Sequence, residues 1–203
     1  VADALVAAGD EVHIWAPALD SAGQLETVTH ERGITVHRLP DHFGRHGIAA
    51  LDKGLRQLPS NRRVLLQYVP HAFGYKAMNI PFCLWLWAKC PAQVWTMFHE
   101  VAFPWVASPL RHNVLAVATR LMALLVTRAS QRMFISIPAW RDLLAPLAPR
   151  NREITWTPVP TNLPMQADEA AVAQLRETFS TMSGGGAVIG HFAPRWTQRF
   201  ARP

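Results

Sequence analysis

Two side chains that could exchange a proton stand together in VWTMFHEVAFPW, residues 94–105. His99 and Glu100 end an apolar run, and Pro104 then breaks it. An imidazole at the carboxyl end of a strand titrates near neutral pH, and an adjacent acid can tune it for acid–base work. The same pair can equally satisfy backbone groups where a strand turns into a loop. A second candidate lies in QYVPHAFG, residues 67–74. There Tyr68-Val69-Pro70 stiffens the strand exit, His71 stands at a cleft rim, and Gly74 opens the next helix. Pro and Gly at these positions also serve a tight turn with no chemistry attached. Ser136 falls near the end of a third apolar run, RMFISIP.

Other constellations carry less. His37, His42 and His46 are loosely spaced, and no cysteine or acid beside them completes a converging ligand set. Cys83 and Cys90 lack metal spacing and are too few for a disulfide framework, which points to reduced core residues and a cytoplasmic chain. Gly184-Gly185-Gly186 precede a strand, whereas a phosphate loop needs glycines after a strand, opening a helix. They read as a linker. No dinucleotide fingerprint, Walker sequence or nucleophile elbow occurs.

The elements that must position these residues are legible as alternation. Residues 11–17, 34–40, 64–70, 92–100, 132–138 and 153–160 are short and rich in Val, Ile, Trp or Phe, as strands are. Helical patterns predicted over 48–58, 74–88, 109–129, 138–147 and 168–182 separate them. Ser108 and Pro109 suit the N-cap and first turn of the longest helix. Such alternation predicts an α/β fold: a doubly wound, mainly parallel, Rossmann-like sheet with helices on both faces. Ligands of such sheets bind beyond the carboxyl ends of the strands, where His71, His99 and Ser136 fall.

Bulk properties exclude several classes. The 203 residues are 50% apolar and 17% charged, which suits a folded core rather than disorder. The net charge of +6 is unevenly placed. Residues 1–100 balance nine Lys+Arg against nine Asp+Glu, while residues 101–203 carry eleven against five. No basic run or aromatic-basic repeat marks a nucleic-acid module, so nucleic acid is not an expected partner. The longest apolar stretch, Val114 to Val126, is broken by Arg120 and falls short of the roughly 20 residues that span a bilayer. Arg111, Arg120 and Arg128 do not share one helix face as a membrane-lying helix would arrange them. A Trp-rich surface peripheral to a membrane remains an alternative.

The chain ends predict a partial unit. Val1 to Ala8 reads as the back half of a helix closed by Gly9, without the strand before it. AVIGHF restarts a strand that then runs into APRWTQRFARP, which has no period.

Six segments, in order, resemble the GT-B glycosyltransferases of family 4. LVAAGDEVHIWAP resembles the helix-to-strand junction of their N-terminal domain. VLLQYVPHAFG and VWTMFHE resemble the next functional strand ends. RASQRMFISIPAW is similar to a later strand and helix, and ITWTPVPTNLP to the crossover into the second domain, with Asn162 in the crossover. AVIGHF looks like that domain's first strand.

The resemblance implies three parts. Residues 1–165 would be an N-terminal acceptor-side domain lacking its first strand. Residues 166–186 would be an interdomain helix and glycine linker, and residues 187–203 the start of a truncated donor domain with an aberrant tail. It implies a retaining transferase that moves a sugar from a nucleotide-sugar donor to a carbohydrate or lipid-linked acceptor, without a cofactor or an essential metal. His99 would face the transferred sugar as the catalytic residue. His71, Glu100, Ser136 and Asn162 would contact substrate. The glycine loop after the first strand, the basic pair for the diphosphate and the acidic motif of the second domain are not in this sequence. The donor would therefore bind only with a further domain, and the chain alone is expected to be inactive. The alternative is a non-catalytic α/β binding module, or an interaction module at the inner membrane face.

Overall fold

The computed structural model describes residues 1–18, 27–89, 93–108, 113–159 and 168–184. The chain divides into two compact units, Val1–Val159 and Pro160–Pro203. The strand expected at 187–192, the linker glycines Gly185 and Gly186, and Asn162 lie outside the described residues.

The first unit opens with α1 (Ala2–Ala7), which ends at Gly9 in a left-handed conformation (φ 91°). β1 (Val12–Pro17), β2 (Thr27–Glu31) and β3 (Ile34–Leu39) follow, then α2 (Arg45–Gln57). β4 (Val64–Tyr68), α3 (Ile80–Lys89), β5 (Val94–Phe98), α4 (Asn113–Ala129), β6 (Ser130–Ile135), α5 (Trp140–Leu144) and β7 (Ile154–Trp156) complete the alternation.

The strands form two sheets rather than the expected one. β1, β3 and β2 make a three-stranded sheet, with β1 parallel and β2 antiparallel to β3. β4, β5, β6 and β7 make a four-stranded sheet that is parallel throughout. β1 and β4 each pair on one side only, and no described strand joins them. β2 escapes sequence reading because its five residues are all exposed and its TVTHE carries one large apolar side chain.

The parallel sheet is flanked by helices and buries one face. Along β5, Val94, Thr96 and Phe98 are buried while Trp95 and Met97 are half-exposed, as a period of two dictates. The buried face meets α4, which packs beside α3. Tyr68, Phe82, Phe98, Met122 and Ile135 are fully enclosed there, each side chain contributing about 1.5–3 kcal/mol by leaving water. Polar groups inside are bonded. Ser130 Oγ donates to Val126 O at 2.6 Å and lies 2.7 Å from Thr96 Oγ1, so Thr96 donates to Ser130.

The helix expected over 74–88 begins later, at Ile80. Before it, Tyr75, Lys76 and Ala77 form a turn with all three φ positive (51°, 53°, 67°), a conformation that disfavours side-chain-bearing residues. Asn79 holds this turn. Its Nδ2 donates to Phe43 O (2.8 Å) and Phe73 O (2.7 Å), and its Oδ1 accepts from Phe82 N (3.1 Å), which caps α3.

In the second unit, α6 (Glu169–Ser183) is capped by Asp168, whose Oδ1 accepts from Ala170 N and Ala171 N. Gly184 ends the helix with φ 59°.

Candidate functional site

β4, β5 and β6 run in register, so their carboxyl ends finish side by side. The ladder continues one residue past each strand. His99 N donates to Tyr68 O, and Ser136 N donates to Phe98 O, both at 3.1 Å. His99 and Ser136 are thus placed by backbone pairing before their side chains make any contact.

His99 is half-buried, and its Nε2 lies 2.8 Å from Gln67 Oε1 on the adjacent strand. An amide oxygen only accepts, so Nε2 carries a proton, and in the neutral imidazole Nδ1 is then the acceptor. No hydrogen bond engages Nδ1 among the described residues. The His99 carbonyl accepts from Trp140 Nε1 at 2.8 Å and from Ser136 Oγ at 3.5 Å. The Trp140 bond ties α5 to the strand end and fixes where the imidazole leaves the backbone.

Glu100 is half-buried and has no ion pair among the described residues. Its charge reaches Tyr68. Burial first, then Cys83 and Glu100, push the Tyr68 phenol above its ordinary range. Tyr68 therefore stays a neutral donor, directed at Thr119 O (3.5 Å), and does no acid–base work. Burial also pushes the Cys83 thiol up to about 12, which suits an inert core residue.

His71 lies in a 3-10 turn, Pro70–Phe73, directly after β4. Its ring is edge-on to Phe103 at 5.1 Å, and no hydrogen bond links it to His99 among the described residues. Phe103 is itself held from α4: its N–H donates to Thr119 Oγ1 (3.1 Å) and its carbonyl accepts from Arg120 Nη1 (2.7 Å). A reciprocal pair between Asn113 and the Val106 backbone pins the next turn. Gly74 closes the 3-10 turn with φ 83°, and a Cβ there would come within 3.4 Å of His42 Cβ.

The structure thus sets His99 and Glu100 at the β5 end, Ser136 at the β6 end with its Oγ on the His99 carbonyl, and His71 at the β4 exit; among the described residues no side-chain to side-chain contact links the four. Asn162 lies outside the described residues. Gln67 and Trp140 were not singled out from sequence. Gln67 had a signal, being the one polar residue in VLLQY, at an outward position of its strand. Trp140 had none.

Comparison with protein families, curated proteins and solved structures yields no match. The site is therefore characterised by its own chemistry. It presents one imidazole acceptor, one carboxylate, one hydroxyl and one carboxamide, next to aromatic rings.

His13 and His37 stand together on the other sheet. His13 Nδ1 lies 3.0 Å from His37 Nε2, its Nε2 lies 3.0 Å from Glu11 Oε1, and Trp15 stacks on His37 at 4.6 Å. His46 pairs with Asp41 at 3.4 Å. Among the described residues, no three potential ligands converge on a metal position.

Proposed function

We propose that this chain is the acceptor-side half of a GT-B glycosyltransferase. The observation that carries the reading is the row of polar groups His99, Glu100 and Ser136 at the carboxyl ends of parallel strands, where α/β sheets bind ligands. Sugars are recognised by hydroxyl-directed hydrogen bonds beside aromatic faces, and this set offers acceptors, donors and the Phe103 and Trp140 rings. The single-sided pairing of β1 and β4 is in keeping with the sequence resemblance, because one strand inserted between them would join both sheets.

In the proposed reaction an acceptor hydroxyl forms the new bond to the anomeric carbon. The bond from that carbon to the donor's diphosphate breaks, and its electron pair leaves with the nucleotide. The acceptor proton leaves with the diphosphate. The nucleotide would be held by a further domain. His99 Nδ1 would accept a hydrogen bond from a hydroxyl of the transferred sugar, with Gln67 fixing the ring.

Saturation-transfer NMR of the chain with a panel of mono- and disaccharides tests this. Saturable contacts that weaken about tenfold in His99→Ala are expected. No saturable contact with any saccharide overturns the acceptor-side reading.

A further inference from the structure

We infer that the cleft between the carboxyl-terminal halves of α2 and α3 binds the terminal phosphate of a phosphate monoester. α2 leads into β4 and α3 into β5, so the last turns of both helices lie toward the strand starts. His99 and Ser136 lie past the opposite strand ends, and the inference does not rest on the transferase reading.

Asp52, Leu55 and Arg56 of α2, Arg62 of the turn after it, and Trp85 and Lys89 of α3 line a cleft of about 150 Å³. A liquid water takes about 30 Å³, so the cleft holds about five non-hydrogen atoms, the size of one phosphate group. Trp85 Nε1 donates to Asp52 Oδ1 at 3.4 Å and links the two helices. Arg56 Nη2 lies 2.7 Å from Asp52 Oδ2, so the acid of the lining is neutralised within the lining. Three cations against one acid leave two positive charges in excess.

Arg62 is anchored but not satisfied. Its Nη1 donates to Pro59 O at 3.2 Å and more weakly to Leu58 O at 3.5 Å, at the exit of α2. Its Nε is shut from solvent and makes no hydrogen bond. Nη2 likewise has no partner among the described residues. Nε and Nη2 form the guanidinium edge that grips a phosphate through two parallel N–H···O bonds. A buried charged donor without an acceptor is costly, and an anion relieves that cost once the edge turns toward the cleft. Lys89 is exposed and has no hydrogen bond or ion pair among the described residues. Cations at helix carboxyl ends also complement the helix dipole. That accounts for Lys89 and for Arg62 Nη1, but it gives Arg62 Nε no acceptor. Two excess charges match the dianion of a phosphate monoester. A carboxylate carries half that charge, and the diphosphate of a nucleotide sugar is esterified at both ends and presents no such terminus.

Titration followed by ¹H–¹⁵N NMR tests the inference, because Trp85 places an indole N–H in the cleft wall. Its resonance is assigned by its loss in Trp85→Phe. Inorganic phosphate and methyl phosphate are added at about pH 8, where both are dianions, with ionic strength held constant. Each should move the Trp85 signal saturably, with a midpoint on the order of 1 mM. Lys89→Ala removes one cation at an exposed position, and Arg62→Lys keeps the charge but loses the two-pronged edge. Each should weaken binding about tenfold, with circular dichroism unchanged. Arg176→Ala on α6, the same loss of charge at an exposed position, should leave it unaltered. No saturable shift overturns the proposal, as does an equal shift with chloride or with the monoanionic diester dimethyl phosphate. Binding that survives Lys89→Ala or Arg62→Lys also overturns it. Binding of inorganic phosphate without methyl phosphate would mark a site for the free ion and overturn the monoester assignment.

Discussion

The imidazole of His99 donates through Nε2 to Gln67 Oε1 at 2.8 Å, across the β5–β4 boundary. This bond selects one tautomer and leaves the opposite nitrogen as acceptor. Long-range ¹⁵N NMR should find the Nε2–H tautomer of His99 in the native chain and a mixture in Gln67→Ala. A native mixture would remove Gln67 as the positioning residue. In an enzyme completed by a donor-binding domain, His99→Ala should lower turnover about 10²-fold or more with little effect on folding. Near-normal turnover would leave His99 as a loop contact.

Trp140→Phe removes the indole donor from the His99 carbonyl and keeps most of the ring. The freed acceptor is half-buried, so a loss of about 1 kcal/mol is expected in urea unfolding. Amide exchange should quicken at the β5 exit more than at the far ends of the strands. Uniform quickening would mean that the bond does not act locally.

Asn79→Ala should cost more, about 3 kcal/mol, because it orphans the Phe43 and Phe73 carbonyls and the cap of α3 together. Chemical denaturation measures it. A loss under about 1 kcal/mol would show that the positive-φ turn stands without this side chain.

Alkali should destabilise the fold through two buried acids. The Cys83 thiol, ordinarily 9.0, is raised to about 12 by burial, and Tyr68 is raised for the same leading reason. Above pH 9 the unfolded chain sheds a proton that the folded chain keeps, so stability is level below about 9 and falls as pH rises toward 12. Cys83→Ala should flatten part of that slope, and Cys83→Ala with Tyr68→Phe more of it. An unchanged slope would place the alkaline loss elsewhere.

Titration calorimetry with uridine and guanosine diphosphate sugars should show no saturable heat from this chain. A pyrophosphate cradle needs backbone N–H groups at a glycine-bearing helix start with a cationic partner. A salt-resistant micromolar dissociation constant would overturn the assignment of donor binding to a further domain.

Much of the parallel sheet could be read from sequence because its strands are compact apolar runs bounded by Pro and polar residues. β4, β5 and β6 each lie within or overlap their expected range. β2 could not be read, since an exposed antiparallel edge strand needs no apolar alternation. The division into two sheets was equally hidden, because strand pairing is not written in any one segment. At the site, His99 and Ser136 were visible as strand-end residues. Gln67 and Trp140 were not chosen, because their roles depend on neighbours 32 and 41 residues away.

The edges of β1 and β4, unpaired among the described residues, should make the isolated chain poorly soluble, since an open ladder recruits further strands. Leu65→Lys, on the exposed face of β4, should delay light scattering on concentration. A monodisperse, cooperatively melting native monomer would count against this edge as a liability.

Asp41 gives α2 an anion of its own. Its two carboxylate oxygens accept from His46 N at 2.9 Å and Gly47 N at 2.6 Å, and a Cβ on residue 47 would collide with His42 O. The positive end of that helix is thus neutralised by a covalently tethered competitor. An incoming phosphate would have to evict Asp41 and strand its charge, so this helix start discriminates against anions without ever meeting one.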